Sequence, residues 1–206
     1  MTYDLQKAFI NPDFDRSELR LYIAHPKMPG AGATAHYIGV GIETMEYAIA
    51  TESTEKATIA QRLPTITNKD GGITFPAAFE LTKGQAAYDA IVAAGLLGKV
   101  NEEFTVLAVY GNIGVKEGST LVDDAPFAQK AKAKIAMSAI GGAGTEKTTV
   151  TAEIKTSGDI ERGYIKLEDG GDVNYDPDTE TWKLAGFVPV TTLDIGDLVI
   201  GAAAAD

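Results

Sequence analysis

The sequence predicts a mostly-β chain: a β-sandwich or partly closed barrel with one flanking α-helix and a long extended loop. Three observations carry that expectation. Lys130, Lys132 and Lys134 alternate with Ala131, Ala133 and Ile135, and the apolar set runs on through Met137 and Ala139. Val150, Ala152 and Ile154 then alternate with Thr149, Thr151, Glu153 and Lys155. Both runs have the period of two that marks a strand buried on one face. The third observation is a single stretch of helical period in an otherwise β-patterned chain, which must lay its apolar face on a sheet.

Taken in order, residues 1–35 read as an N-terminal arm. Pro12, Pro26, Pro29 and the run Gly30-Ala31-Gly32-Ala33 leave room for one short strand at 19–24. Strands follow at 36–41 and 46–50. From 51 to 74 the chain is polar and turn-rich, and 51–72 reads as an extended loop, too long a connection for a compact domain unless it has a function. A strand over 73–81 is interrupted by Pro76, which predicts an edge position or a bulge. Thr82 and Gln85 fit a capping box, and Tyr88, Ile91, Val92, Gly95 and Leu96 form the apolar stripe of a helix that Gly98 stops.

A buried strand at 104–110 and a loop-like stretch at 111–129 lead to the central unit, 130–168. That unit reads as three adjacent antiparallel strands joined at Gly141-Gly142-Ala143-Gly144 and at Gly158-Asp159. A turn at 172–178, a strand at 181–187, short β segments at 188–192 and 198–200, and a flexible tail at 201–206 complete a single domain spanning 1–206.

Composition removes several classes of function. The net charge of −11 repels a phosphate backbone, which excludes tight nucleic-acid binding. Residues 150–206 hold twelve acidic side chains against four basic ones. Those acids form a solvated surface or line a channel that DNA passes without sticking. Zero cysteines exclude disulfides and thiolate metal sites. No apolar run reaches the roughly 18 residues a membrane span needs, and the N-terminus lacks the pattern of a signal peptide, so no membrane anchor is expected.

Three motifs resemble sites and fail as such. Gly39-Val40-Gly41 has Thr44 where a dinucleotide fingerprint needs its third glycine. In the run from Gly141 to Thr148, Glu146 stands where a phosphate loop needs its second glycine. Asp172, Asn174, Asp176 and Asp178 begin like a calcium loop, but Pro177 replaces its glycine and Lys183 its bidentate glutamate, leaving weak calcium binding at most. His25 and His36 have no triad partner beside them in sequence. No cofactor, metal or catalytic constellation is predicted.

The order strand, Ser138-x-x-Gly141-Gly142-x-Gly144, strand, Gly158-Asp159-x-x-x-Gly163, strand resembles the core of the major tail tube proteins of long-tailed bacteriophages. Ile42-Glu43-Thr44-Met45-Glu46-Tyr47 followed by a long arm resembles the same family, as do Lys83, Gly84, Tyr88 and Asp89 around the helix. The resemblance spans roughly 36–168. It implies a structural subunit, not an enzyme, of the non-contractile, flexible-tail type. It further implies self-assembly into hexameric rings stacked around a tape measure protein, bounded by a tail terminator and distal tail or baseplate proteins. The place implied is the virion tail, assembled in the bacterial host cytoplasm, with DNA passing through the lumen. On this reading Ile59, Leu63 and Ile66 in the arm are contact candidates, and Ser138, Thr149, Thr151, Glu153 and Lys155 are lumen candidates. The alternatives are a monomeric β-sandwich binding or adhesion module, and the tube of a contractile injection or secretion system.

Overall fold

In the computed structural model the described residues are 19–38, 42–45, 48–56, 65–80, 84–99, 101–141 and 148–200. They form one helix, α1 (Ala86–Leu96), and fifteen strands. In order these are β1 (Leu19–Ala24), β2 (Thr34–Tyr37), β3 (Ile42–Met45), β4 (Ala48–Lys56), β5 (Thr65–Glu80), β6 (Glu103–Glu117), β7 (Thr120–Gly141), β8 (Thr149–Thr156) and β9 (Glu161–Ile165). The C-terminal set is β10 (Glu168–Asp169), β11 (Asp172–Val173), β12 (Tyr175–Asp176), β13 (Thr181–Lys183), β14 (Phe187–Pro189) and β15 (Leu198–Ile200). The main sheet runs β12-β13-β2-β1-β6-β7-β8-β5-β3 and curls into a half-barrel.

Strand β7 is the backbone of this sheet. Its 22 residues are too many for one partner. One edge pairs with β6, from Thr120 opposite Glu117 to Lys134 opposite Glu103. The other edge is shared: β9 takes Phe127 to Lys130, and β8 takes Ala133 to Gly141. The expected meander of three neighbouring strands is therefore corrected. β9 does not lie beside β8 but continues along the same edge of β7. Gly158, at φ 117°, sits in the connection that makes this jog, in a conformation side-chain-bearing residues rarely adopt.

The sheet is covered on both faces near β1 and on one face near β8. Leu21 and Ile23 join a core with Tyr88 and Ile91 of α1, Phe104 and Ile154. Tyr22 and Ala24 join a second core around Leu107, Trp182 and Phe187. Leu21, Tyr22, Ile23 and Ala24 are thus all buried, so the short strand expected at 19–24 is a central strand of the sheet and not part of a loose arm. A strand covered on both faces loses its alternation, so the run Leu21-Tyr22-Ile23-Ala24 carries no polar face to announce it.

Other expectations change for identifiable reasons. The helix is capped by Gln85 at its N-terminus with no side-chain capping bond, and Thr82, the cap expected from the sequence, lies outside the described residues. Its other end behaves as expected. Gly98, at φ 65°, closes a Schellman motif in which its amide reaches Gly95 and that of Lys99 reaches Ala94. Tyr88 and Ile91 are buried on the apolar stripe, whereas Leu96 is 67% exposed. Gly95 lets the helix lie close on β7, since a Cβ there would come within 2.6 Å of Met137.

The stretch 111–129 is not a loop. It continues β6 and begins β7, with register shifts on either side of Gly114 that break the sequence pattern. The expected strand 181–187 is β13, a single 3-10 turn at Leu184–Gly186, and then β14. Pro76 lies opposite Glu153 of β8, at the level where the far edge of β5 passes from β4 to β3. That gap in the ladder is what a residue without an N–H needs.

Candidate functional site

Among the described residues, none forms a covering layer on one face of the β7–β8 region. In β8, Val150, Ala152 and Ile154 are buried while Thr149, Thr151, Glu153 and Lys155 are exposed. On β7, Ala133 and Ile135 point into the core and Lys132, Lys134 and Ala136 to solvent. The register sets Lys134 beside Lys155, Ala136 beside Glu153, Ala139 beside Thr151 and Gly141 beside Thr149. Ser138 is the extra residue at the bulge between Met137 and Ala139. It is exposed, and its hydroxyl donates to the Thr151 carbonyl at 3.2 Å. All five lumen candidates thus come together on one bare, polar wall.

The charge of that wall is mixed. Lys132 pairs with Glu103 across the β6–β7 ladder. Lys130, further along, pairs with Glu161 at 2.7 Å and lies over the Phe187 ring. Lys134 and Lys155 face solvent beside Glu153. The acid-rich C-terminal quarter supplies only Glu153 to β8, while Glu168, Asp169, Asp172 and Asp176 lie on the small strands β10 to β12. A uniformly acidic lining does not describe this face.

The expected extended loop is an ordered extension. Over 51–56 and 65–72 it is a two-stranded ribbon, with β4 paired to β5 from Ala48 opposite Thr74 to Lys56 opposite Thr65. β8 covers β5 only from Thr74 onward, so residues 65–73 run beyond it, about 30 Å at strand spacing. Ile66 is in β5, opposite Glu55. Ile59 and Leu63 lie outside the described residues, as do 1–18 and the tail 201–206.

Two strand edges around the wall have no partner among the described residues. Beyond Lys134, where β6 begins, β7 has β8 on one edge and nothing on the other through Gly141. At the other side of the β7-β8-β5-β3 sheet, β3 pairs only with β5. Sequence reasoning missed these edges, because neither 42–45 nor 135–141 carries a proline or other residue type that marks an edge.

The remaining candidates have structural uses. His25 is buried, with Nε2 3.2 Å from Glu102 and its ring stacked near Phe104. His36 Nε2 lies 2.9 Å from the Pro29 carbonyl oxygen. In the calcium-like run, buried Asn174 donates to the Lys166 carbonyl. Asp176 accepts from the Asp178 amide at 3.0 Å and the Thr179 hydroxyl at 2.7 Å, which hold its carboxyl below the usual carboxylate range, the Thr179 bond most. These oxygens shape a hairpin. Among the described residues no three His, Asp or Glu side chains gather as a metal site, and no helix is long and apolar enough to cross a membrane.

This architecture has a counterpart. The SPP1 tail tube, in a hybrid solid-state NMR and cryo-EM structure, matches with a TM-score of 0.51 over 81% of this chain and 92% of that one, at 12% identity. The fold is that of a phage tail tube protein. No family model matches the sequence, and no curated protein sequence matches it. The sheath–tube complex of PVC, an extracellular contractile injection system, matches at TM-score 0.41 and 7% identity over 80% of this chain and 100% of that one. The Hcp protein matches at 0.30 and 10% identity, over 71% of this chain and 98% of that one. The assignment of a tail tube fold rests on the SPP1 structure alone.

Proposed function

We propose that this chain is the structural subunit of a phage tail tube. Its copies add head to tail into rings, the rings stack, and the bare β7–β8 face lines the conduit through which the genome is delivered. The observation that carries this reading is the pair of open edges. The sheet β7-β8-β5-β3 is antiparallel throughout and has an even number of strands, so its two end strands run in opposite directions. A translated copy therefore meets β3 with its own β7 antiparallel, and the ladder continues from subunit to subunit. Such a heterologous contact closes into a ring when the curl is right, and closure covers both of these edges.

The polar wall suits this role. Thr149, Thr151 and Ser138 present hydroxyls to a passing polymer, with only the small side chains of Ala136 and Ala139 between them. Lys134 and Lys155 are interspersed with Glu153, so the wall presents no continuous basic track for DNA to grip. The ribbon of β4 and β5 extends along the strand direction, away from the ring plane, and is the arm that reaches a neighbouring ring. Six copies per ring, a tape measure protein within, and terminator and distal proteins at the ends follow from the family resemblance and belong to the same proposal. So do the virion tail as its place and assembly in the host cytoplasm.

The binding-module alternative loses its best feature, because Trp182, the sole tryptophan, is 2% exposed. The test is sedimentation and negative-stain microscopy of the pure chain over a range of concentrations. Rings and tubes are expected, and replacing 51–72 by a short turn should leave rings that do not stack. A chain that stays monomeric throughout, also with tail-initiation proteins added, contradicts the proposal. Assembly that recruits a contractile sheath would move it to the contractile type of tube.

A further inference from the structure

The two ends of the long strand β6 carry surfaces of opposite character. At one end the segment Ile195–Asp197 packs beside β6, and β15 pairs Leu198 to Ile200 with Val115 to Ile113. Ile195 is 92% exposed, the most exposed large apolar side chain among the described residues. The Asp194 carboxylate accepts from the Ile195 amide at 2.8 Å, and the Asp197 carboxylate accepts from the Asp194 amide at 2.8 Å, a reciprocal capping box. An apolar knob flanked by two carboxylates is the result.

At the other end lies a cavity of about 350 Å³ between α1 and the turn after β1. Met28, Ala90, Ala93, Leu97 and Phe104 give it an apolar floor and wall, and Leu97 is 71% exposed at its mouth. Lys27 donates to Glu102 at 2.9 Å, and Lys99 also acts on that carboxylate. Two ammonium groups thus share one carboxylate on the side of the rim after β1, and Asp89 stands on the helix side, so the rim as a whole carries two charges of each sign with its cations gathered on one side. Knob and cavity are about 30 Å apart along β6, from Gly114 to Phe104, at strand spacing. They cannot meet within one molecule.

We infer that Ile195 of one copy seats in the α1 cavity of the next, with Asp194 and Asp197 meeting Lys27 and Lys99. The inference rests on the tube reading and extends it. Strand edges join copies across the strands, whereas knob and cavity join them along the strands, so this contact stacks rings rather than closing them. An apolar anchor in a pocket, rimmed by opposite charges, is the composition of an interface hot spot.

The absence of native cysteines makes the test clean. The full chain carrying Ile195→Cys and Leu97→Cys is assembled and oxidised, and non-reducing electrophoresis is run beside sedimentation of the same sample. A ladder of covalent oligomers is expected, with no ladder from Leu97→Cys alone. Ile195→Asp should keep the monomer's melting temperature and raise the concentration needed for tubes about tenfold or more, the loss of one hot-spot contact. Tubes that sediment normally but give no ladder, with Ile195→Asp assembling like wild type, overturn the inference and leave the tube reading intact. Failure of the wild-type chain to sediment at any concentration, also with tail-initiation proteins added, overturns the tube reading itself.

Discussion

Two halves of one sheet face are treated in opposite ways. Around Leu107, Val109 and Ala128 the face is covered by Tyr175, Trp182 and Phe187 from the C-terminal strands. A few residues further along β7, and across β8, the same face holds Lys132, Lys134, Thr151 and Glu153 in open solvent. The chain thus folds its C-terminal segments over one half and leaves the other to water. The covered half supplies stability, and the bare half is available for a conduit. The opposite face of β8 is apolar and buried under the α1 side of the core, so the wall can be polar without weakening the sheet.

Mutations should break this comparison unequally. Trp182→Ala empties the centre of the covered half and is expected to lower unfolding free energy by about 3–5 kcal/mol, read by denaturant melts. Gly163→Ala comes next. A Cβ there would lie 2.0 Å from the Val188 carbonyl oxygen, so β9 and β14 must part, at a cost of about 1–3 kcal/mol in the same assay. On the bare half, Thr151→Ala and Lys155→Gln should each change monomer stability by no more than about 0.5 kcal/mol. A large loss from either would mean that the wall is part of the core.

The smallest effect is a titration. Asp176 has a depressed pKa, so whatever it adds to hairpin stability is present above the ordinary carboxylate range and is lost as pH falls through its lower folded value. Thr179→Ala removes the leading cause and should raise the Asp176 pKa toward the ordinary range in an NMR titration, with the core unchanged. An unmoved pKa would assign the shift to the Asp178 amide instead.

The parts of the fold that were legible in the sequence are those with one wet and one dry face. β8 alternates perfectly, and its exposed set was readable residue by residue. β1 was read as a short strand in an arm because both its faces are buried. The β4–β5 ribbon was unreadable for the opposite reason. Thr51-Glu52-Ser53-Thr54-Glu55-Lys56 is polar throughout, and a strand without a dry face has no periodicity to show. The second half of β6 was lost to the register shifts at Gly114. The polar wall of the candidate site was therefore visible in advance, whereas the open edges and the Ile195 knob depend on pairing and exposure that only the structure supplies.

The central claim is that the edges of β3 and β7 join copies. Amide hydrogen exchange, followed residue by residue from dilute to concentrated protein, tests it most directly. Ring closure through these edges predicts that amides within 42–45 and 135–141 gain protection together as assembly proceeds, while those of the exposed Glu168 and Asp169 strand do not. Assembly in which both edge segments keep exchanging at the monomer's rate would contradict it.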